Sequence, residues 1–210
     1  EDFVSRVFVD GLGARYIALG DDFRFGNSRE GDYDYVRRLA EQFDYEVQPT
    51  GTLEIGDARV SSTRIRSALA EGHFTEVQAL LGRPFTMTGR VEHGRKLGRE
   101  LGAPTANIRI NRIRSPLSGV FAVRVDGPGL ESAAAVANVG TRPTVDDGLK
   151  ANLEVHLLDR QCDLYGQRLE VRFLHKLREE IKYESLDALK EGIAKDIDNA
   201  RHWLGQPGHS

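Results

Sequence analysis

From Phe85 onward the chain breaks into short apolar runs, each stopped by Gly, Pro, Asn or Asp. The runs are 85–91, 105–110, 120–125, 134–139, 153–158 and 169–173. A series of short strands punctuated by turn residues cannot build a wound α/β sheet. It suggests a small closed antiparallel six-stranded β-barrel, because closure leaves no edge unpaired. Ser185 to Leu204 then reads as a helix, with Leu186, Leu189, Ile193, Ile197, Ala200 and Leu204 as its stripe. Residues 207–210 are expected to be a frayed tail.

The texture before Gly82-Arg83-Pro84 differs. Glycine past a helix end followed by proline is a stop signal, so the boundary is placed there: 1–82, then 83–206. Phe3 to Leu12 reads as the end of an amphipathic helix, and Tyr16 to Leu19 as a buried parallel strand. Tyr33 to Phe43 is a predicted helix, 45–47 and 52–55 predicted strands, and 72–81 a short helix. Ser61 or Ser62 is a natural cap for a helix carrying Ile65, Ala68 and Leu69. Gly11 and Gly13 do not form a dinucleotide fingerprint, since they precede a strand and lack the third glycine. Strand and helix signals alternate in this part, which reads as an α/β half-module.

The chemistry concentrates in 89–110. Gly94, Gly98 and Gly102 recur at every fourth position, with Arg95, Lys96 and Arg99 between them. Glycines permit close approach to the main chain, so exposed N–H groups and cations share one loop, which suits a nucleotide phosphate. Pro104 stiffens the exit, and Thr105 and Asn107 offer two oxygens on one side of an extended segment. Oxygen ligands beside phosphates suit Mg²⁺. A glycine-rich hairpin with surface cations reads the same spacing equally well. No G-x-x-x-x-G-K-[ST] string occurs, so this is not a P-loop. Glu154 alternates with Leu153, Val155 and Leu157. It is either an inward carboxylate, costly without a task, or an outward solvated one.

Composition excludes several classes. A net charge of -3 argues against a general nucleic-acid binder. Cys162 is the single cysteine, so no intrachain disulfide is possible and a reducing, cytoplasmic setting is expected. No apolar run approaches the ~20 residues that span a bilayer, so no membrane role is expected. The first residue is Glu1, in a helix-like pattern, which suggests a fragment of a longer protein.

The string HGRKLGRELGAPTANI, His93 to Ile108, resembles the signature of riboflavin kinases, the flavokinase module of bacterial bifunctional FAD synthetases. Further pieces agree in order: GVFAV from Gly119, ANVGTRPT from Ala137, LEVHL from Leu153, DLYG from Asp163 and FLHKLREE from Phe173. Upstream, GDDFRFG from Gly20 and VSSTRIR from Val60 resemble the second half of the adenylyltransferase module that precedes the kinase. Ala103 departs from the pattern, where many relatives carry a larger residue. The resemblance implies the C-terminal part of a Rossmann-like nucleotidyltransferase domain followed by the kinase barrel.

The site residues it implies are specific. Gly94, Lys96, Gly98, Arg99, Gly102, Pro104 and Thr105 would bind the nucleotide, and Thr105 and Asn107 would hold Mg²⁺. Glu154 would be the catalytic base toward the ribityl 5'-hydroxyl, and Leu177, Arg178 and Tyr183 would close over the flavin. Asp22, Phe23, Ser62, Thr63 and Arg66 would be the remnant of the adenylyltransferase site. Asn138 to Thr144, with Arg142 before Pro143, is either a structural loop, the preferred reading, or a frame for the nucleotide. Nucleotidyltransferases of this class carry an H-x-G-H element. The six histidines here, His73, His93, His156, His175, His202 and His209, do not form one.

The expected function is transfer of the ATP γ-phosphate to riboflavin, giving FMN and ADP, with FAD synthesis confined to a longer parent. The alternatives are a non-catalytic flavin- or nucleotide-binding regulatory barrel and an OB-like nucleic-acid binder. The latter lacks a basic aromatic face. Oligomeric state is left open.

Overall fold

The computed structural model describes residues 1–20, 22–93, 102–110, 115–143, 149–160 and 162–206, without the side chains of 141–143 and 149–151. Two compact units divide the chain, 1–60 and 61–210.

The first unit holds a π-helical turn over Val4–Gly11, strand β1 (Tyr16–Gly20), helix α1 (Tyr33–Phe43) and strand β2 (Glu46–Thr50). β1 and β2 pair in parallel, with Tyr16 opposite Glu46 and Gly20 opposite Thr50. Asp32 caps α1: its Oδ1 accepts the Tyr35 N–H at 2.9 Å. Val4, Ile17, Leu19, Val36 and Tyr45 form the buried core. The strand expected at 52–55 is not there. That stretch contributes only a lone bridge, Glu54 to Arg59, whereas the strand expected at 45–47 is present as β2 and runs on to Thr50.

The second unit opens with α2 (Ser62–Glu71) and α3 (Phe74–Leu81), then six strands. These are β3 (Thr86–Glu92), β4 (Ala106–Arg109), β5 (Gly119–Gly127), β6 (Leu130–Pro143), β7 (Leu149–Leu157) and β8 (Arg168–Arg178). They close in the order β3-β4-β7-β6-β5-β8, and every pairing is antiparallel. Gly89 lets β3 and β4 approach, since a Cβ there would run into the Arg109 carbonyl. Helix α4 (Leu186–Leu204) follows, capped by Ser185 Oγ, which accepts the Ala188 N–H at 3.1 Å.

Alternation in the strands separates two apolar clusters. Inside the barrel lie Val91, Ile108, Phe121, Val123, Ala137, Val139, Leu153, Val155, Leu169, Val171 and Phe173. Outside it, Val120, Ala122, Val136 and Leu158 pack with Ala200 and Leu204 of α4.

The sequence boundary at 82/83 lies some twenty residues beyond the start of the second compact unit at Ser61. Packing is the reason. Ala68, Leu69, Phe74 and Val77 join the barrel's interior cluster. Phe74 meets Phe121 edge-on at 5.9 Å and stacks on Phe173 at 6.2 Å. Lys176 Nζ on β8 donates to the Ala70 carbonyl at 2.8 Å.

Candidate active site

Glu154 sits on the outer face of the barrel. Leu153 and Val155 on either side point into the closed interior, so Glu154 and His156 face out, both half-buried. The inward alternative is therefore excluded, and so is the fully solvated one. Register builds a polar row around it. Glu154 pairs with Asn107 on β4 and with Asn138 on β6. Directly opposed residues share a face, with Cβ atoms about 5 Å apart. Glu92 on β3 extends the row, opposite Asn107.

Two hydrogen bonds set the row. Asn152 Nδ2 donates to Glu154 Oε1 at 2.8 Å. His156 Nδ1 lies 2.9 Å from the Pro104 carbonyl. A carbonyl only accepts, so Nδ1 carries the proton, and β7 is fastened to the residue that precedes Thr105. Asn107 Oδ1 is buried with no hydrogen-bond partner among the described residues. An orphaned buried acceptor costs stability unless something binds it. With the Thr105 hydroxyl two residues earlier on the same side, the oxygen pair suits a hard cation. Among the described residues no group of three His, Cys, Asp or Glu side chains could hold a metal by itself, so such a cation would rely on substrate oxygens.

A cavity of about 790 Å³ opens at the barrel end where β3 finishes, lined in part by Val91 and Leu157 of the interior cluster. Gly102, Pro104 and Thr105 line it on one side, and Cys162, Asp163 and Tyr165 on the other. The carboxylate of Asp163 accepts the Tyr165 N–H at 3.1 Å and shapes that turn.

The other expected positions are scattered. Gly94, Lys96, Gly98 and Arg99 lie outside the described residues, as does Arg95. Arg178 is held by Asp196: Nε to Oδ1 at 2.8 Å and Nη2 to Oδ2 at 2.5 Å. That bidentate bond holds the guanidinium pKa above its ordinary value against the opposing pull of burial. Nη1 donates to the Glu179 carbonyl at 2.8 Å, and the Tyr183 ring lies 5.8 Å below the guanidinium. Leu177 packs in the cluster under α4.

Asp22 pairs with Arg59 at 3.1 Å, and the Phe23 ring lies tilted against Phe25 with centroids 5.4 Å apart. Both belong to the first unit, whereas Ser62, Thr63 and Arg66 lie exposed on the first turns of α2 in the second. Arg64 is tied to Glu76 at 2.9 Å. Sequence reasoning missed Asn152 and Asn138, and also Cys162 and Tyr165 in the cavity wall. Asn152 precedes Glu154 by two residues, so the period of a strand could have found it.

This barrel matches a known enzyme class. The family model for riboflavin kinase covers residues 81–204, and that for FAD synthetase residues 1–64. Bifunctional riboflavin kinase/FMN adenylyltransferases are similar over nearly the whole chain. The protein from Pseudomonas fluorescens is 49% identical, covering 99% of this chain and 67% of its own length. That from Escherichia coli K12 is 44% identical, covering 98% and 65%. A solved structure described as a macrolide-efflux protein from Streptococcus pneumoniae superposes with a TM-score of 0.68 at 32% identity, over 95% of this chain and 64% of that one. The chain belongs to the bifunctional riboflavin kinase/FMN adenylyltransferase family, and spans about two thirds of the length of these relatives.

Proposed function

We propose that this chain is an ATP-dependent riboflavin kinase, with the Asn107–Glu154–Asn138 row as the place of reaction. The observation that carries the reading is the half-buried carboxylate in register with Asn107, whose buried oxygen has no hydrogen-bond partner among the described residues and which follows the cavity-lining Thr105 by two residues. Thr105 and Asn107 would hold Mg²⁺, which would supply neutralisation of charge on the transferring phosphoryl group. Gly102, Pro104 and Thr105 hold the nucleotide from one wall of the cavity, and the Gly94, Lys96, Gly98 and Arg99 stretch adds N–H groups and cations. Glu154 orients the ribityl 5'-hydroxyl and accepts its proton. The hydroxyl oxygen bonds to the γ-phosphorus as the bond to the bridging oxygen breaks and ADP departs. Leu177, Arg178 and Tyr183 flank the flavin, with Arg178 preset by Asp196.

The full-length protein, on this reading, also adenylylates FMN to FAD, and the residues at 20–26 and 61–66 serve that second reaction. This chain lacks an H-x-G-H element and makes FMN alone. Among the described residues no helix is long and apolar enough to cross a membrane.

The test is incubation with riboflavin and ATP, with Mg²⁺ and with a chelator, followed for FMN and FAD. FMN is expected with Mg²⁺ only, and FAD in neither case. A regulatory binding barrel would retain riboflavin without making FMN. Glu154→Gln keeps volume and one acceptor but cannot take the proton. It should lower kcat by ~10²–10⁴, the usual worth of general-base catalysis, with flavin binding nearly unchanged. A folded variant with near-normal kcat would remove Glu154 from this role.

A further inference from the structure

We infer that Asn152 is a positioning residue for Glu154, and that it acts on phosphoryl transfer through the carboxylate. The inference rests on the reading of Glu154 as the group that accepts the hydroxyl proton.

A glutamate on a strand has three side-chain torsions, and each must be fixed before its oxygen can meet a hydroxyl in line with a phosphorus. The backbone of β7 cannot do this, since it fixes only the face. Asn152 lies two residues earlier on that same outer face, and its Nδ2 donates to Glu154 Oε1 at 2.8 Å. An amide suits the task because it donates without titrating and adds no net charge beside a carboxylate that must take a proton. Lysine or arginine would pair with the carboxylate and hold its charge. Aspartate would repel it.

The opposite side of the ladder supports this placement. Asn152 is in register with Gly140 on β6, which has no side chain on that face. The carboxylate of Glu180 occupies the space where a Gly140 Cβ would stand, and Ser118 Oγ donates to its Oε2 at 3.4 Å. The Asn152 amide thus lies between two acidic positions, Glu154 along its own strand and Glu180 across the ladder. A donor here keeps one carboxylate from drifting toward the other's seat.

A merely structural asparagine would predict something different. Its loss would lower stability and weaken every kinetic parameter regardless of what stands at 154. A residue acting through Glu154 loses its effect once the carboxylate is gone, because groups that act as a unit are non-additive. The experiment uses the whole chain and four proteins: unmodified, Asn152→Ala, Glu154→Gln and the double variant. Each is assayed for FMN formation at high enzyme concentration, with a thermal melt. Asn152→Ala is expected to lower kcat about tenfold, the scale of one hydrogen bond to a charged group, with KM for riboflavin and for Mg-ATP changed less than about twofold. In the Glu154→Gln background the same substitution should change kcat by less than about twofold. Asn152→Asp, the same shape without the donor, should fall at least as far as Asn152→Ala.

An equal drop in both backgrounds would make the role structural and overturn the inference, as would unmodified kcat in Asn152→Ala. Near-normal kcat in Glu154→Gln alone would overturn the assignment of the base on which the inference stands, and that outcome is read from the single variant without reference to Asn152.

Discussion

The two units of this chain hold themselves together by different means. In the barrel each of the six strands has two neighbours, so the sheet has no edge, and apolar side chains fill the interior. Part of the outer face is covered in turn by α4. Among the described residues of 1–60, two parallel strands pair only with each other, and Val4, Ile17, Leu19, Val36 and Tyr45 are the buried apolar core. On β1 one face is covered by burial of Ile17 and Leu19, while Tyr16 on the other is 53% exposed. Parallel strands are ordinarily covered on both faces. The lesson is that closure, more than strand propensity, sets how much of a sheet's energy is local. The polar row around Glu154 can be carried on an outer face because the inner face already supplies a core.

Substitution within the barrel core tests that contrast most severely. Phe173 is 2% exposed and touches three other phenylalanine rings, Phe74, Phe85 and Phe121. Phe173→Ala should cost about 3–5 kcal/mol in a denaturant melt of residues reporting on the barrel. Hydrogen exchange in residues 1–60 should be unaffected. Loss of protection in both units together would show that they unfold as one and erase the comparison.

Ion pairs give a middling effect of opposite character in the two units. Asp196 is 6% exposed and grips Arg178 through two bonds. Asp196→Ala leaves that guanidinium without its partner and should cost roughly 3 kcal/mol. The Asp22–Arg59 pair in the first unit is open to solvent, and Asp22→Ala should cost under about 1 kcal/mol. The melts of the two variants compare them directly. Equal costs would mean that exposure does not separate the two pairs.

The smallest expected effect is alkaline and confined to the first unit. Tyr45 is buried, its hydroxyl donates to the Val36 carbonyl at 2.7 Å, and burial raises its pKa above the ordinary value. The folded state therefore holds a proton that unfolded chains release above about pH 10. The contribution is complete below that pH and is lost as pH rises through the higher, folded value. Tyr45→Phe should flatten this limb, at a cost of about 1 kcal/mol near neutrality because the Val36 carbonyl loses its donor. A limb unchanged by the substitution would assign the alkaline loss to another group.

Much of this architecture was legible in the chain. Six short strands and their turn residues, the helix from Ser185 and the ordered motifs from His93 to Glu180 all depend on local chemistry, which neighbouring residues decide among themselves. The register-dependent facts were not legible. Around Glu154 the pattern has apolar residues on both faces, since Leu157 faces the interior and Leu158 is buried under α4. Period-two alternation therefore could not say which face carries the carboxylate; barrel closure and the docking of α4 decided it. Asn138, placed by sequence in a structural loop, became a neighbour of Glu154 because β6 lies beside β7. The helices before Gly82 read as part of the preceding module, and only the apolar surface at the barrel end drew Phe74 and Val77 into its core. Burial and strand order depend on residues far apart in the chain, and no local window contains them.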